Sequence, residues 1–266
     1  MSFIISALKI ICLLGFLIFI HEGGHFTVAK LCNVKVNQFA IGFGPAIWKY
    51  QGKETKYAIR LIPLGGFVSM EGEDQESSDE RAFNKASIPK RILIVVAGAC
   101  VNIIFGIISY FLLLLIIKKN LIFALQLTGG YFIEFVNSIK MLFIGGVGIN
   151  DLTGPVGISQ IISNTEGIKE FIYMLSVISL SLGITNLLPI PALDGGKIVL
   201  LLIEAIRKKP FKENTEAQIQ LIGFSILMAL SIFVTYNDII RIMSMGTCFF
   251  DNILSIWTKV FNNFLE

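Results

Sequence analysis

The chain alternates long apolar stretches with short polar ones, and four apolar stretches are long enough, or nearly so, to cross a lipid bilayer. They cover residues 3–20, 92–117, 171–188 and 219–236. A helix needs about 20 apolar residues to span the hydrocarbon core, so the pattern predicts four membrane-spanning helices. The only charge within the first stretch is Lys9, whose amine can reach the nearby headgroups.

A further apolar stretch, residues 121–149, contains two adjacent glycines, Glu134 and Lys140. Each of the two charges would cost about 3 kcal/mol at the middle of a bilayer. We therefore expect an amphipathic helix on the membrane surface here, with a fifth span as the alternative. The C-terminal tail, residues 249–264, has the same interfacial character.

The composition is that of a membrane protein, because 54% of the 266 residues are hydrophobic and only 15% are charged. Soluble domains carry about 25% charged residues. The net charge of +3 is too small and too dispersed to suggest a nucleic-acid partner, and four cysteines do not indicate a disulfide framework. A cleavable signal peptide is the rival interpretation of the first stretch, but no small-x-small cleavage site follows Ile20.

Positive charge is distributed unevenly among the segments between the predicted spans. Of the 22 lysines and arginines, ten lie in residues 21–91 and five in residues 189–218, against four in residues 118–170. Loops rich in lysine and arginine stay in the cytoplasm. We therefore predict that both richer loops are cytoplasmic and that both termini lie outside.

Both histidines of the chain lie in the sequence His21-Glu22-Gly23-Gly24-His25, at the end of the first predicted span. Side chains four residues apart share one face of a helix, so both imidazoles can reach one metal ion. Glu22 lies about 100° around the helix, near enough to contact a metal-bound water without being a ligand. Zinc lowers the pKa of such a water to about 7, and a carboxylate can then take its proton during attack on a carbonyl. The alternative is a pair of structural histidines at a helix end.

A catalytic zinc usually keeps three protein ligands, and the chain has no third histidine. The third ligand must then be Asp, Glu or Cys. Asp194 follows the third predicted span in an apolar run, where an unpaired carboxylate would cost about 3 kcal/mol. Pro189 and Pro191 break the helix before it, and a break at membrane depth is tolerated only inside protein or beside a wet cavity. We therefore predict that Asp194 is the third ligand.

These motifs resemble those of the site-2 protease family of intramembrane zinc metalloproteases, in particular its bacterial branch of regulated intramembrane proteolysis. The likeness rests on HEGGH at residues 21–25 and NLLPIPALDGG at residues 186–196. Further segments that match the family are IGFGPAIW at 41–48, RLIPLGGFVSMEGE at 60–73, DLTGPVGI at 151–158 and VTYNDIIRI at 234–242. The resemblance implies that His21, His25 and Asp194 bind one zinc ion per chain. It also implies that Glu22 is the general base.

The chain departs from that family in two places. Most bacterial members carry one or two PDZ domains between the second and third core spans, but residues 118–170 are too few and too apolar for one. We therefore expect a single membrane-embedded domain over residues 1–266, without a PDZ domain. The family's Gly-Pro element in the second span reads GACVN at residues 98–102, without the proline, so a straighter helix is expected.

The first loop contains four short runs with β-propensity, separated by glycine-rich turns. These runs cover residues 34–38, 47–50, 56–61 and 67–70. They predict a small membrane-associated cytoplasmic sheet, so the expected fold class is an α-helical integral membrane protein with about four spans and a small β-rich loop. An edge of this sheet could bind an unwound substrate by strand addition, or the sheet could be a plain cytoplasmic cap.

Asn102 and Asn186 are polar groups within or next to the spans. The resemblance implies that either can bind the substrate backbone or stabilise the oxyanion. The alternative for each is a structural hydrogen bond between helices. At the end of the last span, Asp238 and Arg241 are expected to form a structural ion pair.

The sequence therefore predicts a zinc-dependent intramembrane endopeptidase. Its expected substrates are single-span membrane proteins, cleaved in or near their transmembrane segments, in the bacterial inner membrane with the active site towards the cytoplasm. A metal-ion transporter that uses the His-Glu helix as an ion path is the alternative, although transporters usually show repeated halves. A zinc-binding scaffold without catalysis is a third hypothesis, which the intact Glu22 disfavours.

Overall fold

The computed structural model describes residues 2–144 except 74 and 76, residues 167–245 except 212 and, between these ranges, residues 154, 156–158, 162 and 165. The helices are α1 (Ser2–Leu31), α2 (Ile88–Lys118), α3 (Leu121–Ile144), α4 (Ile168–Asn186), α5 (Asp194–Arg207) and α6 (Glu213–Met245). The strands are β1 (Val36–Gln51) and β2 (Lys56–Met70), and a short 3₁₀ helix, Phe83–Lys85, follows them.

Four of these helices are long and apolar enough to cross a membrane. The candidate spans are Leu8–Leu31 in α1, Ile88–Lys118 in α2, Ile168–Asn186 in α4 and Asn214–Ile240 in α6. The predicted fold class is confirmed: an α-helical membrane protein with four candidate spans and a small sheet. The Lys9 amine donates a hydrogen bond to the Thr165 carbonyl at 3.1 Å, and its contact with headgroups stays a prediction.

Of the stretch 121–149, predicted to be a surface helix or a fifth span, residues 121–144 form α3 and residues 145–149 lie outside the described residues. One side of α3 is buried, at Ala124, Thr128 and Tyr131. The ring of Tyr131 lies 4.1 Å from the ring of Tyr110 on α2, so this side packs against the second span. The position of α3 on the membrane surface stays a prediction.

The strands β1 and β2 form one sheet, in which residues 38–41 of β1 pair with two different segments of β2, residues 56–59 and residues 66–69. Next to the turn the two strands pair as an antiparallel hairpin, whereas Phe39 of β1 has a partner on each side, Tyr57 and Val68. The four predicted β-prone runs therefore lie largely within two longer strands. Residues 66–70 of β2 pair with residues 36–41 on one side and have no strand partner on the other among the described residues, so they form an edge of the sheet.

The contacts divide the chain into two compact units. One contains residues 1–10, 106–176 and 226–266, and the other contains residues 11–105 and 177–225. The second unit holds every residue predicted for the metal site. There, Ala29 of α1, Val36 of β1 and Ile94 of α2 are completely buried in one cluster. The sheet is therefore packed directly against the two helices that carry part of the site.

Some predictions fall outside the described residues. These are part of the 151–158 segment, the whole tail 249–264 and the side chain of Arg241. Asp238 is completely buried, and its carboxylate accepts a hydrogen bond from the Gly157 N–H at 2.9 Å. Its ion pair with Arg241 stays a prediction.

Candidate metal centre

The two histidines of α1 point towards one another, as their spacing predicts. His21 is 8% exposed and His25 is 9% exposed, and their Nε2 atoms are 3.2 Å apart. Because both belong to one continuous 30-residue helix, the backbone fixes the separation of the two rings.

Asp194 reaches the same point from the first residue of α5. Its Oδ2 atom lies 3.2 Å from Nε2 of His21 and 3.4 Å from Nε2 of His25. This oxygen is buried and has no hydrogen-bond partner within the part of the chain that the structure describes. A buried carboxylate oxygen without such a partner, placed beside two imidazole nitrogens, is typical of a cation site.

The three ligand atoms have the spacing that tetrahedral zinc requires. Zinc–nitrogen and zinc–oxygen bonds of about 2.0–2.1 Å at the tetrahedral angle place neighbouring ligand atoms about 3.3–3.4 Å apart. The three separations here are 3.2, 3.2 and 3.4 Å. The group of His21, His25 and Asp194 therefore fits a zinc ion, with one of four positions left for water or substrate.

The break between α4 and α5 places the Asp194 carboxylate. The chain is non-helical at Pro189 and Pro191, as predicted, and α5 begins again at Asp194. A Cβ atom on either Gly195 or Gly196 would lie 2.3 Å from a carbonyl oxygen of this break. Only glycine allows so close an approach, so the two glycines after Asp194 let α5 start directly against the turn.

His25 is held from behind by α2. Its Nδ1 atom lies 2.8 Å from the carbonyl oxygen of Ile94. The ring also rests on Gly98, where a Cβ atom would lie 2.3 Å from Nε2 of His25. The sequence analysis missed both contacts, although Gly98 begins the GACVN element that it had linked to the family.

Asn102, which was predicted to bind substrate, is completely buried beside His21. Its amide nitrogen lies 3.3 Å from Nδ1 of His21, and its main-chain carbonyl accepts a hydrogen bond from Ser179 of α4 at 2.8 Å. Its side-chain oxygen has no partner among the described residues. Asn102 therefore makes the interhelical contact that the alternative had suggested, and a contact with substrate stays a prediction.

Asn186 is the last residue of α4 and lies directly before the break. Its side chain is half-buried and makes no hydrogen bond within the described part of the chain. Its amide is therefore available to a ligand, unlike that of Asn102.

The side chain of Glu22, on α1, lies against the sheet. A Cβ atom on Gly66 of β2 would lie 2.9 Å from Cγ of Glu22, so the glutamate stem touches the edge of the sheet. On the same helix, His21 is the adjacent residue and His25 lies three positions further along. Glu22 is thus next to both the three candidate ligands and the edge residues 66–70.

Three further residues, which the sequence analysis missed, hold α5 in place. The Lys197 amine, one turn after Asp194, pairs with the carboxylate of Glu73, just beyond β2. On the other side of the break, Gln220 of α6 accepts a hydrogen bond from the Ala192 N–H at 2.6 Å. Glu73 is the last residue of the quoted motif 60–73, and Lys197 directly follows the quoted motif 186–196. These positions were the only signal for the pair.

Residues 9–230 match the family model described as "Peptidase family M50". A Clostridium acetobutylicum protein named "Putative zinc metalloprotease" is 30% identical over 321 residues, which cover 85% of this chain and 95% of that protein. A Nostoc protein of the same name is 27% identical over 350 residues, with 88% and 95% coverage. "Zinc metalloprotease RasP" of Shouchella clausii is 24% identical over 416 residues, with 90% and 100% coverage.

The chain therefore belongs to peptidase family M50, the site-2 protease family. This confirms the resemblance drawn from the motifs, and it makes the protein a membrane metalloprotease of that family. The relatives above carry zinc in their names, and the His-His-Asp group of this chain has the chemistry and spacing for that ion.

Proposed function

We propose that the protein is a zinc-dependent intramembrane endopeptidase, which cleaves single-span membrane proteins in or near their transmembrane segments. The observation that carries the proposal is the triangle of ligand atoms from His21, His25 and Asp194, whose sides match those of tetrahedral zinc. Membership of a peptidase family favours this activity over the metal-ion transporter.

His21, His25 and Asp194 would hold the ion, and Glu22 would be the general base. Zinc, when bound, acidifies a water molecule and polarises the peptide carbonyl. Glu22 accepts the proton of the attacking water and returns it to the leaving nitrogen. Its stem rests against Gly66 of β2, and this position beside the three ligand atoms suits a base rather than a fourth ligand.

The groups behind the imidazoles select the nitrogen that binds the metal. His25 donates its Nδ1 proton to the Ile94 carbonyl, which leaves the Nε2 lone pair for the ion. His21 needs an acceptor at Nδ1 for the same reason. The side-chain oxygen of Asn102, which lacks a partner among the described residues, becomes that acceptor when the amide rotates by 180°. We therefore assign Asn102 to orienting His21, and we assign the substrate contact to Asn186.

A transmembrane helix has to be unwound before its peptide bonds can be attacked, because its carbonyls are hydrogen-bonded within the helix. Residues 66–70 of β2 form an edge of the sheet, and this edge touches Glu22 at Gly66. A substrate that adds a strand here is held extended beside the metal ligands. The contact with Glu22 supports strand addition over a plain cap.

The distribution of lysine and arginine supports a place in the bacterial cell membrane with the site towards the cytoplasm. The two loops richest in these residues, 21–91 and 189–218, contain or adjoin the three candidate ligands. We also retain a single membrane-embedded domain without a PDZ domain as part of the proposal.

The proposal is tested with Glu22→Gln, which keeps the size of the side chain and removes the base. We expect cleavage of a reconstituted single-span substrate to slow about 10²–10⁴-fold, while zinc content measured by mass spectrometry stays near that of the wild type. Glu80→Gln is the matched control, because Glu80 is exposed in the loop after β2. Full activity of Glu22→Gln, or purified wild-type protein that never retains zinc, would contradict the proposal.

A further inference from the structure

The short helix α5 has apolar side chains on its exposed side and paired charges on its inner side, which is the reverse of a helix on the surface of a soluble protein. Two of its charged side chains turn inwards, where Lys197 pairs with Glu73 and Glu204 forms a two-bond ion pair with Arg91 of α2. Its outward side chains are apolar and exposed: Val199 (37%), Leu202 (49%), Ile203 (37%) and Ile206 (82%). At 100° per residue these four positions form one stripe about 100° wide, which we call the outer stripe.

Hydrocarbon is the surrounding that suits this arrangement, because it favours apolar side chains outside and paired charges inside. A helix of 14 residues is about 21 Å long, and this is too short to cross a hydrocarbon core of about 30 Å. With Asp194 at its beginning, α5 therefore cannot cross the hydrocarbon core by itself.

A basic run follows the outer stripe without a break. Residues 207–212 read RKKPFK, and Arg207, Lys208 and Lys209 are exposed. The helix ends where Lys208 takes a left-handed conformation, with φ 54°. The guanidinium of Arg207 lies 4.7 Å from the centre of the Phe211 ring. The positive charge is therefore concentrated at the end of the helix, beside the apolar stripe.

We propose that α5 is embedded in one leaflet with its outer stripe in hydrocarbon, and that Arg207, Lys208 and Lys209 bind the phosphate groups of anionic phospholipids. Charge complementarity selects anionic over zwitterionic lipids. A lipid fits better than free phosphate, because the stripe next to the basic run requires acyl chains. Asp194 lies at the other end of the same helix, so bound lipid holds the helix that carries a candidate ligand.

The test is lipid competition on the full-length protein in detergent micelles. Equal amounts of phosphatidylglycerol and phosphatidylcholine are added, and the lipids that remain bound are counted by native mass spectrometry. We expect wild-type protein to retain phosphatidylglycerol in preference. Each basic residue near a membrane surface contributes about fivefold, so Arg207→Gln, Lys208→Gln and Lys209→Gln together should lower the preference about 100-fold. Because these side chains are exposed, the triple variant should fold.

The matched control removes three positive charges at the two ends of the segment between α2 and α4, with Lys118→Gln, Lys119→Gln and Lys169→Gln. This control should keep the preference within about twofold. An equal loss in the control would show a general effect of net charge, and an unchanged preference in the first triple variant would show that the basic run is not the site. Either result overturns the proposal. Displacement of the bound phosphatidylglycerol by millimolar inorganic phosphate would overturn it too, because the site would then bind phosphate and not a lipid.

The outer stripe is tested separately with Ile206→Trp. In vesicles of phosphatidylglycerol brominated in the acyl chains, this variant should lose more tryptophan fluorescence than wild-type protein, which has Trp48 and Trp257. No additional quenching would place Ile206 outside the hydrocarbon and overturn the embedding of α5. Neither measurement depends on proteolysis, so both can fail or succeed independently of the proposed function.

Discussion

The close contact between His25 and Gly98 predicts that a single methyl group will disable the metal centre. In Gly98→Ala the new Cβ atom would lie 2.3 Å from Nε2 and 2.7 Å from Cε1 of His25, whereas ordinary contacts begin at 3.4 Å. The imidazole therefore has to move by about 1 Å, and zinc–nitrogen bonds tolerate only about 0.2 Å. The helix itself does not lose stability, because alanine is favoured over glycine in a helix by about 1 kcal/mol.

We expect the zinc affinity of Gly98→Ala to fall at least about 100-fold, since loss of a supporting contact alone costs 10- to 100-fold and here a ligand is displaced. The affinity is measured by competition with a chromophoric chelator, and circular dichroism reports whether the helices are retained. Cleavage of the single-span substrate should fall in parallel at limiting zinc and recover in part at high zinc.

Gly15→Ala in α1 is the matched control, because a Cβ atom there meets nothing within 4 Å. It should bind zinc as wild-type protein does. The reasoning is refuted if Gly98→Ala binds zinc with unchanged affinity, or if both variants lose it equally.

Three other perturbations have expected outcomes. Asn102→Leu should lower zinc affinity about 10- to 100-fold in the same competition assay. Asn102→Asp, which restores an acceptor for His21, should recover the affinity. If the aspartate variant does not recover the affinity, the orienting role of Asn102 is contradicted. Lys197→Ala leaves the partly buried Glu73 carboxylate without this amine and should lower the free energy of unfolding by about 1–3 kcal/mol, with partial recovery on adding Glu73→Gln. The hydrogen bond from Lys35 lowers the pKa of Asp79 below 3.8. The stabilising contribution of Asp79 is therefore present above about pH 4 and lost as the pH falls through the lowered pKa. Hydrogen exchange in the loop around Asp79 should increase in that acidic range and stay unchanged at pH 7.

The candidate ligands could be predicted from the sequence because each depends on a local rule. The spacing of His21 and His25 places them on one helix face whatever the rest of the chain does. Asp194 stood out because two prolines break an apolar run just before it. Glu22 followed from its place in the same motif. Local rules were therefore sufficient for the candidate residues of the metal centre.

The supporting contacts could not be predicted, because they depend on how helices distant in the sequence pack together. Neither Ile94 nor Gly98 has a local pattern that links it to His25, and both meet it only where α1 crosses α2. The strand pairing is a similar case. The β-prone runs indicated strands, but no turn signal indicated that Phe39 would have a partner on each side.

The ligand set has a consequence for biogenesis. His21 and His25 enter the membrane with the first span, whereas the Asp194 carboxylate arrives only after the third span and the proline break have been synthesised. A partly made chain offers two of the three proposed ligands and lacks Asp194, and two ligands hold an ion far more weakly than three. On the proposed ligand set, all three ligands would therefore be present only after the proline break has been inserted.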